Sequence, residues 1–147
     1  MIVDERIITF INSLDTKNSE ILEDIEREAL ADNVPIIRRE MQSFLKVLLM
    51  VKKPMRVLEV GTAVGFSALL MSEYVPEECA ITTIENYEKR IPIERQNFVR
   101  AGKEKKITLL EGDAMDVLKT LEGPYDFIFM DAAKGQYIHY LPEILRL

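Results

Sequence analysis

An aspartate and a lysine three residues apart, Asp131 and Lys134, are the residues of this chain best suited to chemistry. They follow the largely apolar run Tyr125-Asp126-Phe127-Ile128-Phe129-Met130, in the segment Asp131-Ala132-Ala133-Lys134-Gly135-Gln136-Tyr137. An acid at the mouth of a buried strand has few structural partners, which makes it a candidate for metal or proton chemistry. The spacing of Lys134 allows two equal readings: a surface lysine at a helix start, or an amine in the same pocket. In the second case enclosure would favour the neutral, proton-accepting form, a general base toward a hydroxyl.

Three more segments offer ligand contacts. Glu59-Val60-Gly61-Thr62-Ala63-Val64-Gly65-Phe66-Ser67 is a glycine-containing turn that opens a helix. Gly61 allows a sharp turn and close approach of a ligand to the backbone, and Gly65 lets the helix start near the strand. The spacing G-x-x-x-G does not meet the dinucleotide pattern G-x-G-x-x-G, and it suits a carboxylate and a ribose better than a pyrophosphate. Glu85 follows about twenty residues after Gly65, at a strand end where an acid can accept hydrogen bonds from both ribose hydroxyls. Gly112-Asp113-Ala114 offers a carboxylate and adjacent amides, although Asp113 is equally good as a helix N-cap. His139 falls inside a helix and takes no role. The single cysteine, Cys79, excludes an internal disulfide and any CxxC motif.

These residues need a scaffold that brings them together. Residues 1–54 read as helices, from the spacing of Ile7, Ile8, Ile11 and Leu14, then Ile21, Leu22, Ile25 and Ala29, then Ile37, Met41, Phe44, Leu45, Leu48 and Leu49. Pro35 is expected at the start of the third helix, and Pro54 ends the region. Residues 55–147 alternate apolar runs with helical stretches, the signature of βαβ units and a parallel sheet. Strands are expected at 56–60, 80–85, 106–111 and 125–131, and helices near 66–74, 88–101, 113–121 and 136–147. Pro92 should delay or kink the second of these helices. Right-handed crossovers put the loops at the strand C-termini on one edge of the sheet, where ligands of such sheets bind.

The 147 residues suit one domain, and a hydrophobic content of 48% suffices for a core. A net charge of −6 argues against an indiscriminate nucleic-acid coat protein. Arg38, Arg39, Lys46, Lys52, Lys53 and Arg56 still make the segment before the first strand locally basic. The acidic start and the lack of a long apolar run imply a cytoplasmic protein that does not enter a membrane.

Taken in order, VLEVGTAVGFSALLM, ITTIE, LLEGDAMDVL and YDFIFMDAAKGQY resemble the motifs of the metal-dependent class of S-adenosylmethionine (SAM) O-methyltransferases, over about residues 34–147. That class includes catechol and caffeoyl-CoA methyltransferases and a bacterial branch acting on tRNA. The DAAKGQY form is most similar to the tRNA 5-hydroxyuridine methyltransferases. The resemblance implies an α/β Rossmann-like methyltransferase fold behind N-terminal helices, with SAM and Mg²⁺ as cofactors. By it, Gly61 and Ser67 line the methionine end, with Glu59 and Gly65 of the same motif counted as cofactor residues. Glu85 holds the ribose, Asp113 and Ala114 face the adenine, and Ile37 closes over the cofactor. Asp131 binds the metal and Lys134 is the base.

The family sheet has seven strands, with an Asp-Asn pair as further metal ligands after the fifth. The chain is therefore expected to be an N-terminal fragment that stops after the fourth strand and its helix, holding metal weakly and turning over poorly. Arg38 and Arg39 would suit the phosphates of a tRNA anticodon, whereas a catechol-like phenol would need an apolar cleft. The amphipathic N-terminal helices suggest a homodimer. An NAD-binding module and a non-catalytic remnant are the rival classes.

Overall fold

The computed structural model describes residues 4–147; the first three residues of the expected helical region lie outside the described residues. Three helices come first: α1 (Glu5–Ser13), α2 (Glu20–Ala31) and α3 (Arg39–Lys52). There follow β1 (Arg56–Val60), α4 (Phe66–Tyr74), β2 (Ala80–Glu85), α5 (Ile91–Arg100), β3 (Ile107–Glu111), α6 (Ala114–Thr120), β4 (Phe127–Met130) and α7 (Tyr137–Arg146). The strands form one parallel sheet in the order β3-β2-β1-β4. This is the Rossmann-like α/β arrangement that alternating apolar runs and helical stretches require.

The pleat sorts the core into two layers. Val57, Ile81 and Ile107 point to one face, where they pack with Leu22 and Ile25 of α2, Leu49 of α3, Leu69 and Leu70 of α4, and Phe98 of α5. Leu58, Val60 and Ile84 point to the other, against Leu118 of α6 and Tyr140 of α7. β4 lies at the sheet edge, and its four residues are only half-buried although their sequence is apolar throughout.

Some boundaries depart from the sequence reading. Pro35 does not start α3. The helix begins at Arg39 behind an extended Arg38, leaving residues 34–38 as an irregular strap between α2 and α3. A proline disfavours helix in the residue before it, which holds Val34 out of α2. Pro92 lies in the first turn of α5, which starts late, at Ile91, as a proline demands. The segment 134–136 forms a short 3-10 turn, so α7 starts at Tyr137 and not at 136.

Candidate active site

The C-terminal ends of the strands are stitched together by their own backbone. Gly61 donates to the Ile84 carbonyl at 3.0 Å, Gly112 to that of Glu85 at 2.9 Å, and Asp131 to that of Val60 at 2.9 Å. Each loop is thus tied to the strand beside it. Gly61 has φ +96°, and a Cβ there would stand 2.7 Å from the Asp131 carbonyl oxygen. The glycine is needed because the β1 turn and the β4 exit touch. Gly65, at φ +83°, has the Phe98 ring of α5 where a side chain would go.

Above this rim lies a cavity of about 680 Å³. Gly61, Ser67, Glu85, Ala114, Asp131 and Lys134 line it, and the strap roofs it with Ile36 and Ile37. Glu85 and Asp131, on loops of two strands separated by β1, therefore share one chamber. The Glu85 carboxylate accepts from the Ala63 amide at 2.8 Å and from the Asn86 and Tyr87 amides at 2.9 Å. That leaves lone pairs for a further donor, since an ionised carboxylate has about four acceptor sites.

Three expected contact residues do not line the cavity. Gly65 serves the packing of α4 against α5. Asp113 caps α6, its Oδ1 accepting from the Met115 amide at 2.9 Å, and the backbone neighbours Gly112 and Ala114 reach the cavity in its place. Glu59 is fully buried beneath the turn, accepting hydrogen bonds from the Ser67 hydroxyl and, at 2.5 Å, from the Thr83 hydroxyl. Burial raises its carboxyl to about 7 against the pull of those two hydroxyls, with the negative charges of Asp131 and Glu85 adding to the rise. Glu59 thus holds Ser67 from behind.

Lys134 and Asp131 stand exposed at the mouth, so the enclosure expected around the lysine is not present. Arg39 is not free for a phosphate: it pairs with Glu23 at 2.8 Å and Glu26 at 2.6 Å. Arg38, next to it, is exposed and lines the cavity. Among the described residues, no three His, Cys, Asp or Glu side chains gather into a metal-binding group.

The sequence reading missed several residues. Arg90 lines the cavity and lies over the Tyr87 ring at 5.2 Å, a pairing the three-residue spacing just after Glu85 could have suggested. Tyr140 reaches the cavity from α7. Glu94 is fully buried in the first turn of α5, with neither oxygen hydrogen-bonded, and burial, then the nearby Glu85 and Glu59 charges, push its carboxyl up to about 8. Nothing in its sequence setting, between Arg90 and Arg95, distinguishes it from a surface acid.

A family model described as O-methyltransferase matches residues 12–147. A catechol O-methyltransferase of Niastella koreensis is 33% identical over 108 residues, 71% of this chain and 49% of that protein. Caffeoyl-CoA O-methyltransferase 2 of Populus trichocarpa is 35% identical over 114 residues, covering 71% of this chain and 44% of its own length. Among solved structures, an SAH-bound methyltransferase of Podospora anserina superposes with a TM-score of 0.90 at 30% identity, over 96% of this chain and 62% of that one. The chain spans about half the length of the curated relatives it matches.

Proposed function

This chain belongs to the O-methyltransferase family, and from that premise we propose that its cavity takes SAM and serves transfer of a methyl group to a hydroxyl. The observation that carries the reading is the single chamber shared by the glycine turn, Glu85 and the Asp131–Lys134 loop. Its volume, about 680 Å³, is in the range of small-molecule and cofactor sites.

The residues fit such a cofactor by their chemistry. Glu85, with lone pairs left over from its three backbone donors, suits a ribose diol. Gly61 gives close access to backbone, and Ser67 is held by Glu59. Ile36 and Ile37 supply an apolar roof, and Ala114 with Gly112 a small-residue wall for a base. SAM brings a methyl group already activated on sulfur, so that the new C–O bond forms as the S–CH₃ bond breaks and its electron pair returns to sulfur. The protein's task is to align the acceptor oxygen and take its proton. Lys134, which lines the same cavity as Asp131, is the residue proposed to take that proton at Nζ.

Asp131 is proposed as a ligand for Mg²⁺. A hard cation takes six or more oxygens, and among the described residues no three His, Cys, Asp or Glu side chains form a group around Asp131. Asp131 alone does not complete a metal site.

For the acceptor, 5-hydroxyuridine at the tRNA wobble position remains the first proposal, supported by the exposed Arg38 at the mouth. A small phenol is the second, favoured by the apolar Ile36, Ile37, Met41 and Phe66 along one wall and by the names of the relatives. The exposed apolar residues Phe10 of α1, Leu14 at its C-cap, and Phe44 and Val47 of α3 support the homodimer. Calorimetric titration with SAM and with NAD tests the cofactor, and binding of NAD alone sinks it. Methylation of hydroxyuridine-containing tRNA should fall steeply with salt and be lost in Arg38→Ala; salt-insensitive transfer to a catechol instead would overturn the tRNA reading.

A further inference from the structure

The roof of the cavity is the strap of residues 34–38, which belongs to no helix or strand. Its two ends are tied to the neighbouring helices: the Val34 amide donates to the Ala29 carbonyl at 2.8 Å, and the Arg38 carbonyl accepts from the Gln42 amide at 2.9 Å. Between them, among the described residues, one side chain alone bonds the strap backbone: Gln42, whose Nε2 donates to the Ile37 carbonyl at 2.9 Å.

Gln42 is completely buried, and its side-chain amide is fully engaged. Its Oε1 accepts from Asn18 Nδ2 at 2.8 Å, and its Nε2 donates a second bond to Glu26 Oε1 at 2.9 Å. Glu26 is in turn held by Arg39 at 2.6 Å. Asn18 Oδ1 and Glu26 Oε2 are buried without a hydrogen bond, Glu26 Oε2 meeting Arg39 only as an ion pair, whereas every polar atom of the Gln42 amide is bonded, which fixes that side chain in one orientation. One of those bonds goes to the carbonyl of Ile37, a residue that lines the cavity.

We infer that Gln42 is a positioning residue for the cofactor: through the Ile37 carbonyl it fixes the strap over the site, while touching no ligand itself. The inference rests on the reading of the cavity as a SAM site. Loss of the bond leaves the strap backbone hydrogen-bonded only at its ends, with Val34, Ile36 and Ile37 still packed on the core, and the cofactor must then order that backbone on binding.

The test compares two variants of the full chain. Gln42→Met keeps the volume and removes the donor; Glu26→Gln disturbs the same network but leaves the bond to Ile37. SAM affinity by calorimetry, Tm, and hydrogen exchange of residues 34–38 are measured for each. The expected result is SAM affinity about tenfold weaker in Gln42→Met, the size of one lost hydrogen bond, with faster exchange in the strap. Glu26→Gln should lower Tm and bind within about twofold of the parent. Gln42→Asn keeps the amide but withdraws it by one methylene, and carries the same expectation if the methionine variant does not fold. Unchanged affinity in the Gln42 variants, or equal loss in Glu26→Gln, overturns the inference. Failure of the parent chain to bind SAM overturns the cofactor reading instead.

Discussion

β4 carries an aspartate just outside each end, and the two have opposite fates. Asp126, before the strand, accepts from the amides of Met55 and Arg56 at 2.8 and 2.9 Å, and those bonds hold its carboxyl below the usual range. The Arg56 guanidinium binds the Pro124 and Glu122 carbonyls at 2.9 Å and covers the Tyr125 ring. Charge at that end of the sheet is spent on joining β1 to β4. Asp131, after the strand, has its backbone tied to Val60 while its carboxylate, among the described residues, joins no hydrogen bond or ion pair and faces the cavity. One end of the strand is built and the other is left available, which is the distribution expected where loops at strand C-termini carry the site.

The sharpest way to break this contrast is to remove the chemistry from the available end. Lys134→Met should lower methyl transfer about 10²- to 10⁴-fold, the range for a positioned proton acceptor. SAM affinity by calorimetry should stay unchanged; transfer within a few-fold of the parent removes Lys134 as base. Gly61→Ala comes next, because its Cβ would press on the Asp131 carbonyl at 2.7 Å in a backbone conformation unsuited to alanine. A loss of about 1–3 kcal/mol on denaturation, with weakened SAM binding, is expected, and a variant as stable as the parent would contradict the contact.

Asp126→Asn probes the built end. It should lower Tm, because a charge-assisted acceptor for two amides is weakened, with transfer within about twofold of the parent; a large catalytic loss would erase the contrast. The smallest effect concerns Glu94. Its folded carboxyl, at about 8, lies above the ordinary 4.5, so the folded chain keeps a proton that the unfolded chain releases. Its contribution to stability is therefore lost as pH rises from 4.5 toward 8. Gln cannot ionise, and Glu94→Gln should flatten the decline of Tm over that window, with the greatest gain at its alkaline end. The slope does not vanish, since Glu59, at about 7, adds a decline of the same sign. Parallel curves for variant and parent would show that Glu94 does not hold that proton.

What could be read beforehand follows from how local each cause is. β1 and β2 were legible to the residue because short apolar runs bounded by turn chemistry depend on neighbours in sequence. The convergence of Gly61, Glu85 and Asp131 was legible through the handedness of crossovers. Asp113 was legible only as a choice between cap and contact; the bond to the Met115 amide shows the cap. Arg38 and Arg39 look alike in sequence; their difference lies in Glu23 and Glu26, which a separate helix brings to Arg39 alone. Glu94 and Gln42 were invisible because their burial depends on packing of α5 and α3 against distant parts of the chain.

The bare backbone at Gly61 has a bearing on precision. Where a methyl donor would lie, the wall is the main chain of one loop, and where an acceptor would lie it is the next loop, resting directly on the first. The span between the two is therefore set in part by main-chain packing, with Gly61 against the Asp131 carbonyl and the Asp131 amide on the Val60 carbonyl.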